Sequence, residues 1–140
     1  MKKRFVIGTL LLLNLWACAS KKPEPPSLVV PMSYFYAGSA LAVDDFGRAR
    51  EFLKALANES SGNLKTQAQA AAASSSIGAM RAVFKGLTEG IVVNMSYPDD
   101  YAVAFCPMYK NGSKWIQKRE APIANPYLGK SVPACGSFVD

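Results

Sequence analysis

The clearest structural signal in the chain lies in the segment Ile77-Gly-Ala-Met-Arg-Ala-Val-Phe-Lys-Gly-Leu-Thr-Glu-Gly-Ile-Val-Val-Asn-Met95. Large apolar residues recur in it at steps of three and four, which is the spacing of one helix face; they are Ile77, Met80, Phe84, Leu87, Ile91 and Met95. The serines of Ser74-Ser-Ser76 precede it and offer a helix N-cap. The pattern predicts a long core helix and a mainly α fold.

Three further segments before this helix have helical character. Between Met32 and Val43 the apolar residues fall at helical spacing, and Asp44 can cap a second helix whose apolar face runs from Phe46 to Leu56. After the helix-breaking cluster Asn58–Asn63, the chain from Leu64 to Ala73 is rich in Ala and Gln, which have high helix propensity. The sequence therefore predicts an antiparallel bundle of three or four helices.

The last forty residues change character. Tyr101-Ala-Val-Ala-Phe105 alternates bulky and small side chains as a strand does, and Asn111-Gly112 supplies a hairpin turn that would pair it with Lys114–Gln117. Residues 121–140 contain three prolines and are predicted to be loop. We expect a small C-terminal cap of hairpin and loop at about residues 101–140.

The N-terminus resembles an export signal. The basic Met1-Lys-Lys-Arg4 precedes an apolar run of about a dozen residues, fewer than the roughly 20 that a membrane-spanning helix needs. Leu15-Trp-Ala-Cys18 has the form of a bacterial lipobox, so residues 1–17 are predicted to be a signal peptide and Cys18 the lipidated residue. Alternatively, Ala17-Cys-Ala19 fits ordinary signal peptidase, which would release a soluble periplasmic protein.

Composition sets the remaining boundaries. Residues 18–31 contain four prolines together with Lys and Glu and are expected to be a solvated tether, followed by one domain at residues 32–140. No Asp follows Cys18, which favours the periplasmic side of the outer membrane over retention at the inner membrane.

Loss of the signal leaves 13 basic and 10 acidic residues, a net charge of +3, so a nucleic-acid partner is not expected.

The chain has no histidine, which excludes Ser-His-Asp triads, Cys-His dyads, HExxH zinc sites and a histidine general base. No phosphate-binding glycine motif is present. The acidic pairs Asp44-Asp45 and Asp99-Asp100 stand where a helix cap or a turn favours Asp. We therefore expect no enzymatic activity.

Cys106 and Cys135 remain as an even pair if Cys18 carries lipid. In an oxidising compartment they are natural disulfide partners. Reduced, they would join the Met108 thioether as soft sulfur donors of the kind that select Cu(I) or Ag(I). The two interpretations conflict, because an oxidised pair offers no thiolate to a metal.

Several of these residues, taken in order, resemble a periplasmic domain of unknown function that occurs alone in exported proteins and attached to the adaptor (membrane-fusion) subunits of copper and silver efflux pumps. The domain's tail typically has Tyr-Cys-Pro-Met, a Trp, Ile-x-Asn-Pro-Tyr-x-Gly and Met-x-x-Cys-Gly. The matching segments here are Phe105-Cys-Pro-Met108, Trp115, Ile123-Ala-Asn-Pro-Tyr-Leu-Gly129 and Cys135-Gly136. In the helical part, Ala40-Leu-Ala-Val-Asp-Asp-Phe46 and Arg81, Phe84 and Leu87 are similar to it as well.

The resemblance runs from about residue 33 to 137. It implies a role in copper or related heavy-metal handling in the bacterial envelope, with proteins of a metal-efflux complex as partners. Cys106, Met108 and Cys135 are then the implied sulfur positions. The tail methionine of that domain falls on Val132 here, so a fourth soft ligand is missing.

Overall fold

The computed structural model describes residues 28–139, so the predicted signal peptide, Cys18 and most of the predicted tether lie outside the described residues. The fold is mainly helical, with the strands at the C-terminal end. In chain order the elements are α1 (Met32–Ala42), α2 (Phe46–Glu59), α3 (Gly62–Ala72), α4 (Ile77–Asn94), β1 (Tyr101–Cys106), β2 (Ser113–Lys118), a 3-10 turn (Gly129–Ser131) and β3 (Ser137–Phe138).

The helices pack in sequence order, α1 on α2, α2 on α3 and α3 on α4. Large apolar side chains from three of them are fully buried between the helices, among them Leu41, Leu53, Leu56, Phe84 and Leu87. Helix α3 contributes only alanines to the buried core, and such small side chains let neighbouring helices approach closely. Within residues 28–139, no helix has both the length and the hydropathy needed to cross a bilayer.

The helix caps differ from the prediction at one position. The Asp45 carboxylate, not that of Asp44, caps α2 by accepting a hydrogen bond of 3.0 Å from the Arg48 N–H. Asp44 occupies the turn between α1 and α2 with a φ of 59°, which directs its side chain away from α2 and toward Arg81. Ser76 caps α4 as predicted, accepting from the Ala79 N–H at 3.2 Å.

The C-terminal strands form an antiparallel sheet in the order β2-β1-β3. Strands β1 and β2 pair from Tyr101 with Lys118 to Cys106 with Ser113. The connection is a six-residue loop, Pro107–Gly112, longer than the short hairpin turn predicted at Asn111-Gly112. Asn111 and Gly112 end this loop with positive φ angles. Strand β3 lies in the segment predicted to be loop and pairs with the other edge of β1.

The folded part also begins earlier than expected. Val30 is buried, its N–H donates to the Ser96 carbonyl at 2.9 Å, and the Ser96 N–H donates to the Leu28 carbonyl at 3.0 Å. Residues 28–31 thus belong to the packed domain, although their proline-rich context assigned them to the tether. Backbone pairing with the segment after α4 is a non-local contact that composition does not reveal.

Candidate functional site

Cys106 and Cys135 form a disulfide in the C-terminal cap. Their Cα atoms are 5.6 Å apart, which is the usual separation for bonded cysteines. Cys106 is fully buried at the end of β1, and Cys135 is partly buried in the loop just before β3. The bridge therefore ties the last segment of the chain to the central strand, and neither sulfur is available as a thiolate.

Met108 has a different environment from the two cysteines. It lies in the hairpin loop two residues after Cys106, and it is 65% exposed. Among the described residues, no three or more His, Cys, Asp or Glu side chains gather where they could hold a metal ion. The structure thus brings Cys106 and Cys135 together and places the third predicted sulfur ligand, Met108, at the surface.

Asn125 positions the segment that carries Cys135. Its side chain is fully buried, and its Nδ2 donates to the Cys135 carbonyl at 2.8 Å. Its Oδ1 accepts from the backbone N–H groups of Tyr127 at 2.8 Å and Leu128 at 3.0 Å. Because both ends of the amide are used, this buried polar group is satisfied and fixes the turn.

Tyr127 fills the centre of the cap. Its ring stacks on Tyr109 with a centroid distance of 5.0 Å and meets Trp115 edge-on at 6.3 Å. Its hydroxyl donates to the Lys114 carbonyl at 2.5 Å. Burial raises the pKa of Tyr127 well above its ordinary value, so the phenol stays protonated and acts as an anchor.

A second polar cluster, the Arg81 junction, joins the helices to the cap and comprises Asp44, Arg81, Pro126 and Gly129. The Arg81 guanidinium donates to the Pro126 carbonyl at 2.8 Å, to the Leu41 carbonyl at 2.7 Å and to the Asp44 carboxylate at 2.5 Å. The hydrogen bond from Arg81 is the main reason that the pKa of Asp44 lies below its ordinary value. The Arg81 guanidinium is therefore paired with one carboxylate and two backbone carbonyl groups.

Gly129 is required at this junction. It has a positive φ of 55°, and a Cβ there would overlap the Asp44 carboxylate and the Arg81 guanidinium. The sequence indicates Asp44 as a helix cap and Arg81 only as part of a resemblance, and no local pattern connects either residue with Gly129. The available signal was an arginine within a strongly apolar helix pattern, because such a residue needs partners when it packs inward.

A third buried polar contact involves Tyr34 of α1. Its hydroxyl lies 3.1 Å from the Thr88 hydroxyl of α4 and accepts from the Ile116 N–H of β2 at 3.3 Å. Burial raises the pKa of Tyr34 above its ordinary value, so this group also stays neutral. This contact connects α1 and α4 with the sheet, so its role is structural.

The fold uses most residues that carry the resemblance as structural elements. Those with a buried or bridging role are Arg81, Cys106, Trp115, Asn125, Tyr127, Gly129 and Cys135. Met108 is the contrasting case, because its exposed side chain contributes little to the core. In comparisons with known proteins, no protein-family profile, no curated protein and no solved structure matches this chain.

Proposed function

We propose that the chain is a non-enzymatic, protein-binding domain of the bacterial cell envelope, associated with metal efflux and stabilised by the Cys106–Cys135 disulfide. The observation that carries this proposal is the disulfide itself, which is partly buried and links the central strand to the last segment. Structural disulfides form and persist in oxidising compartments such as the periplasm. This chemistry agrees with the export signal at the N-terminus.

Lipid attachment at Cys18 is part of the same proposal. The lipobox at residues 15–18 supports it, and the proline-rich residues after Cys18 would give the domain room to stand away from a membrane. The periplasmic face of the outer membrane is the proposed location. A soluble periplasmic form, produced by cleavage before Ser20, is the alternative.

The proposed contact surface is the hairpin loop Pro107–Gly112. Exposed methionine is common on binding surfaces because its flexible thioether adapts to different partners. Loops held by a rigid scaffold often carry binding residues, and this loop is framed by the disulfide and the β1–β2 pairing. The resemblance given above suggests an efflux-pump component as the partner.

The arrangement of the helices as an antiparallel bundle belongs to the proposal too. Short connections between α1, α2, α3 and α4, together with the packing of each helix on the next, support it. In such a bundle the sheet would cover one side of the helices through α4, which contacts β2.

A second candidate function is the binding of Cu(I) or Ag(I) after reduction of the disulfide. The favouring observation is the exposed thioether of Met108, two residues from Cys106. Two released thiolates and this thioether would form a soft donor set. A reductant in the envelope would be required, so this function and the disulfide-stabilised state would alternate.

The first proposal is tested on protein isolated from bacterial envelopes in which thiols were alkylated before lysis. We expect mass spectrometry to find Cys106 and Cys135 unmodified until a reductant is added, and to find Cys18 carrying diacylglycerol. Alkylation of both cysteines in the native protein would contradict the structural disulfide. A mature chain beginning at Ser20 would establish soluble secretion instead of anchoring.

The metal candidate is tested by titrating the reduced mature domain with Cu(I) against a competing chelator. Binding should disappear in the Cys106→Ser/Cys135→Ser variant and weaken in Met108→Leu. Met32→Leu is the matched control, because Met32 is also exposed, at 44%, but lies on α1. If the reduced domain does not compete with the chelator, or if the Met32 and Met108 variants weaken equally, the metal candidate is wrong.

A further inference from the structure

An apolar groove of about 330 Å³ lies beside the start of the folded domain. This volume falls within the range of small-molecule sites in proteins. Leu87 and Ile91 of α4, both almost fully buried, lie in its wall, and Leu28 and Val29 are 63% and 57% exposed. Pro31, Leu64 of α3 and Met95 after α4 add to the apolar lining.

The charge of the groove selects the kind of ligand. Glu59 is the charged residue of its lining, and its carboxylate already accepts a hydrogen bond of 2.6 Å from the Ser33 hydroxyl. The other polar lining residues are neutral, as in Asn63, Gln67 and Asn94. Because the described part of the chain gives the lining an acid and no cation to pair with a carboxylate or phosphate, the groove favours an uncharged aliphatic chain.

The position of the groove identifies an occupant within reach. Leu28, on its wall, follows Cys18 by ten residues. Ten extended residues span at most about 35 Å, and the proline-rich composition of this stretch favours such an extended chain, at about 3.1 Å per residue. A lipid attached to Cys18 would therefore be presented to the groove at an effective concentration on the order of millimolar.

We propose that this groove binds one acyl chain of the lipid attached to Cys18 whenever that chain is outside a bilayer. The proposal rests on the lipidation included in the proposed function. Removal of the chain from water provides the driving force, which grows with the apolar surface buried. A bilayer competes for the same chain by burying its methylenes, so membrane contact empties the groove.

The binding site itself is tested without lipid at Cys18. The mature Cys18→Ser chain is titrated by calorimetry with 1-monolauroylglycerol, a neutral single-chain lipid, below its aggregation concentration. Gly90→Leu should block the groove, because Gly90 lines it and a Cβ there meets no atom within 4 Å. Gly86→Leu is the matched control on the same helix, since its Cβ is equally free but Gly86 does not line the groove.

The expected result is saturable binding that Gly86→Leu retains and Gly90→Leu weakens at least tenfold. Both variants should keep the circular dichroism of the parent, because leucine has a higher helix propensity than glycine. Absence of binding by the parent, or equal binding by the two variants, would overturn the proposal. The mass of the N-terminal peptide tests lipidation separately, so the two failures are distinguishable.

The assignment of the occupant is tested by comparing lipidated protein with the Cys18→Ser chain. After dilution below the micelle concentration of its detergent, the lipidated form should bind the probe at least tenfold more weakly, because its own acyl chain competes. Equal affinity of the two forms would overturn the assignment to the attached lipid. The affinity of the Gly90→Leu variant for the probe gives the value expected when the groove is already filled.

Discussion

The helical part, residues 30–95, and the C-terminal cap, residues 101–139, are held together by different kinds of contact. The helices meet through Leu, Ala and Phe side chains, whose packing follows from their spacing along the sequence. The cap depends on individual atoms: a disulfide, the Asn125 amide, the Tyr127 hydroxyl and the Arg81 guanidinium. The helical part should therefore tolerate conservative change, whereas the cap should be sensitive to single substitutions.

Loss of the disulfide should give the largest effect on stability. Its two cysteines are 29 residues apart, and closing a loop of this length is worth about 3.5 kcal/mol in the chain-entropy model. Urea denaturation of Cys106→Ala/Cys135→Ala should show a loss of this size, and reduction of the parent protein should reproduce it. Within the unlipidated mature chain, Cys18→Ala is the control and should have no effect, because Cys18 lies outside the loop. A double variant as stable as the parent would contradict the claim that the cap, unlike the helices, depends on the disulfide.

Gly129→Ala should be the next most damaging change. The new Cβ would overlap the Asp44 and Arg81 side chains, and the backbone has a left-handed φ. Strain and overlap together should cost about 2–3 kcal/mol. The matched control is Gly62→Ala, since Gly62 has a φ of 57° but no atom within 4 Å of an added Cβ, so only the backbone cost of about 1 kcal/mol remains.

Thermal and urea unfolding of these two variants isolate the contribution of the Arg81 junction. A Gly129→Ala variant that loses no more stability than Gly62→Ala would show that the close approach of the turn to Asp44 and Arg81 is not needed. A larger loss at Gly129 would support the assignment of this glycine to the contact between the helices and the cap.

The same contrast explains what the sequence could predict. The apolar periodicity of Ile77–Met95 and the capping serine Ser76 led directly to α4, because helix formation and burial depend on local spacing. The alternation in Tyr101–Phe105 likewise identified β1. Each of these elements is indicated by a pattern within its own residues.

The missed features depend on residues far apart in the chain. Strand β3 has only two residues and no alternation of its own, and it pairs where the disulfide brings it against β1. Asp44 accepts hydrogen bonds from Arg81, 37 residues away, and from the Lys130 N–H, 86 residues away. The pairing of Val29 with Ser96 is equally non-local. Local propensity does not predict such contacts, because they depend on how the whole domain packs.

A smaller effect is expected at acid pH from Asp44. Because Arg81 lowers its pKa in the folded state, the carboxylate contributes stability above its unfolded pKa of about 3.9, and this contribution is lost as the pH falls through the folded pKa. Asp44→Asn should therefore be less stable than the parent at pH 6 and closer to it near pH 2.5. The measurement is the urea midpoint of both proteins across this range. A constant difference would show that the ionisation of Asp44 does not matter.

Hydrogen exchange with and without a reductant measures the role of the disulfide most directly, because it reports the cap and the helices separately. Reduction should lower amide protection in β1 and β3, which the disulfide joins, while α2 and α3 retain their protection. Unchanged protection in the strands, or an equal loss in α2 and α3, would contradict the claim that the bond between Cys106 and Cys135 holds the cap on a helical part that packs without it.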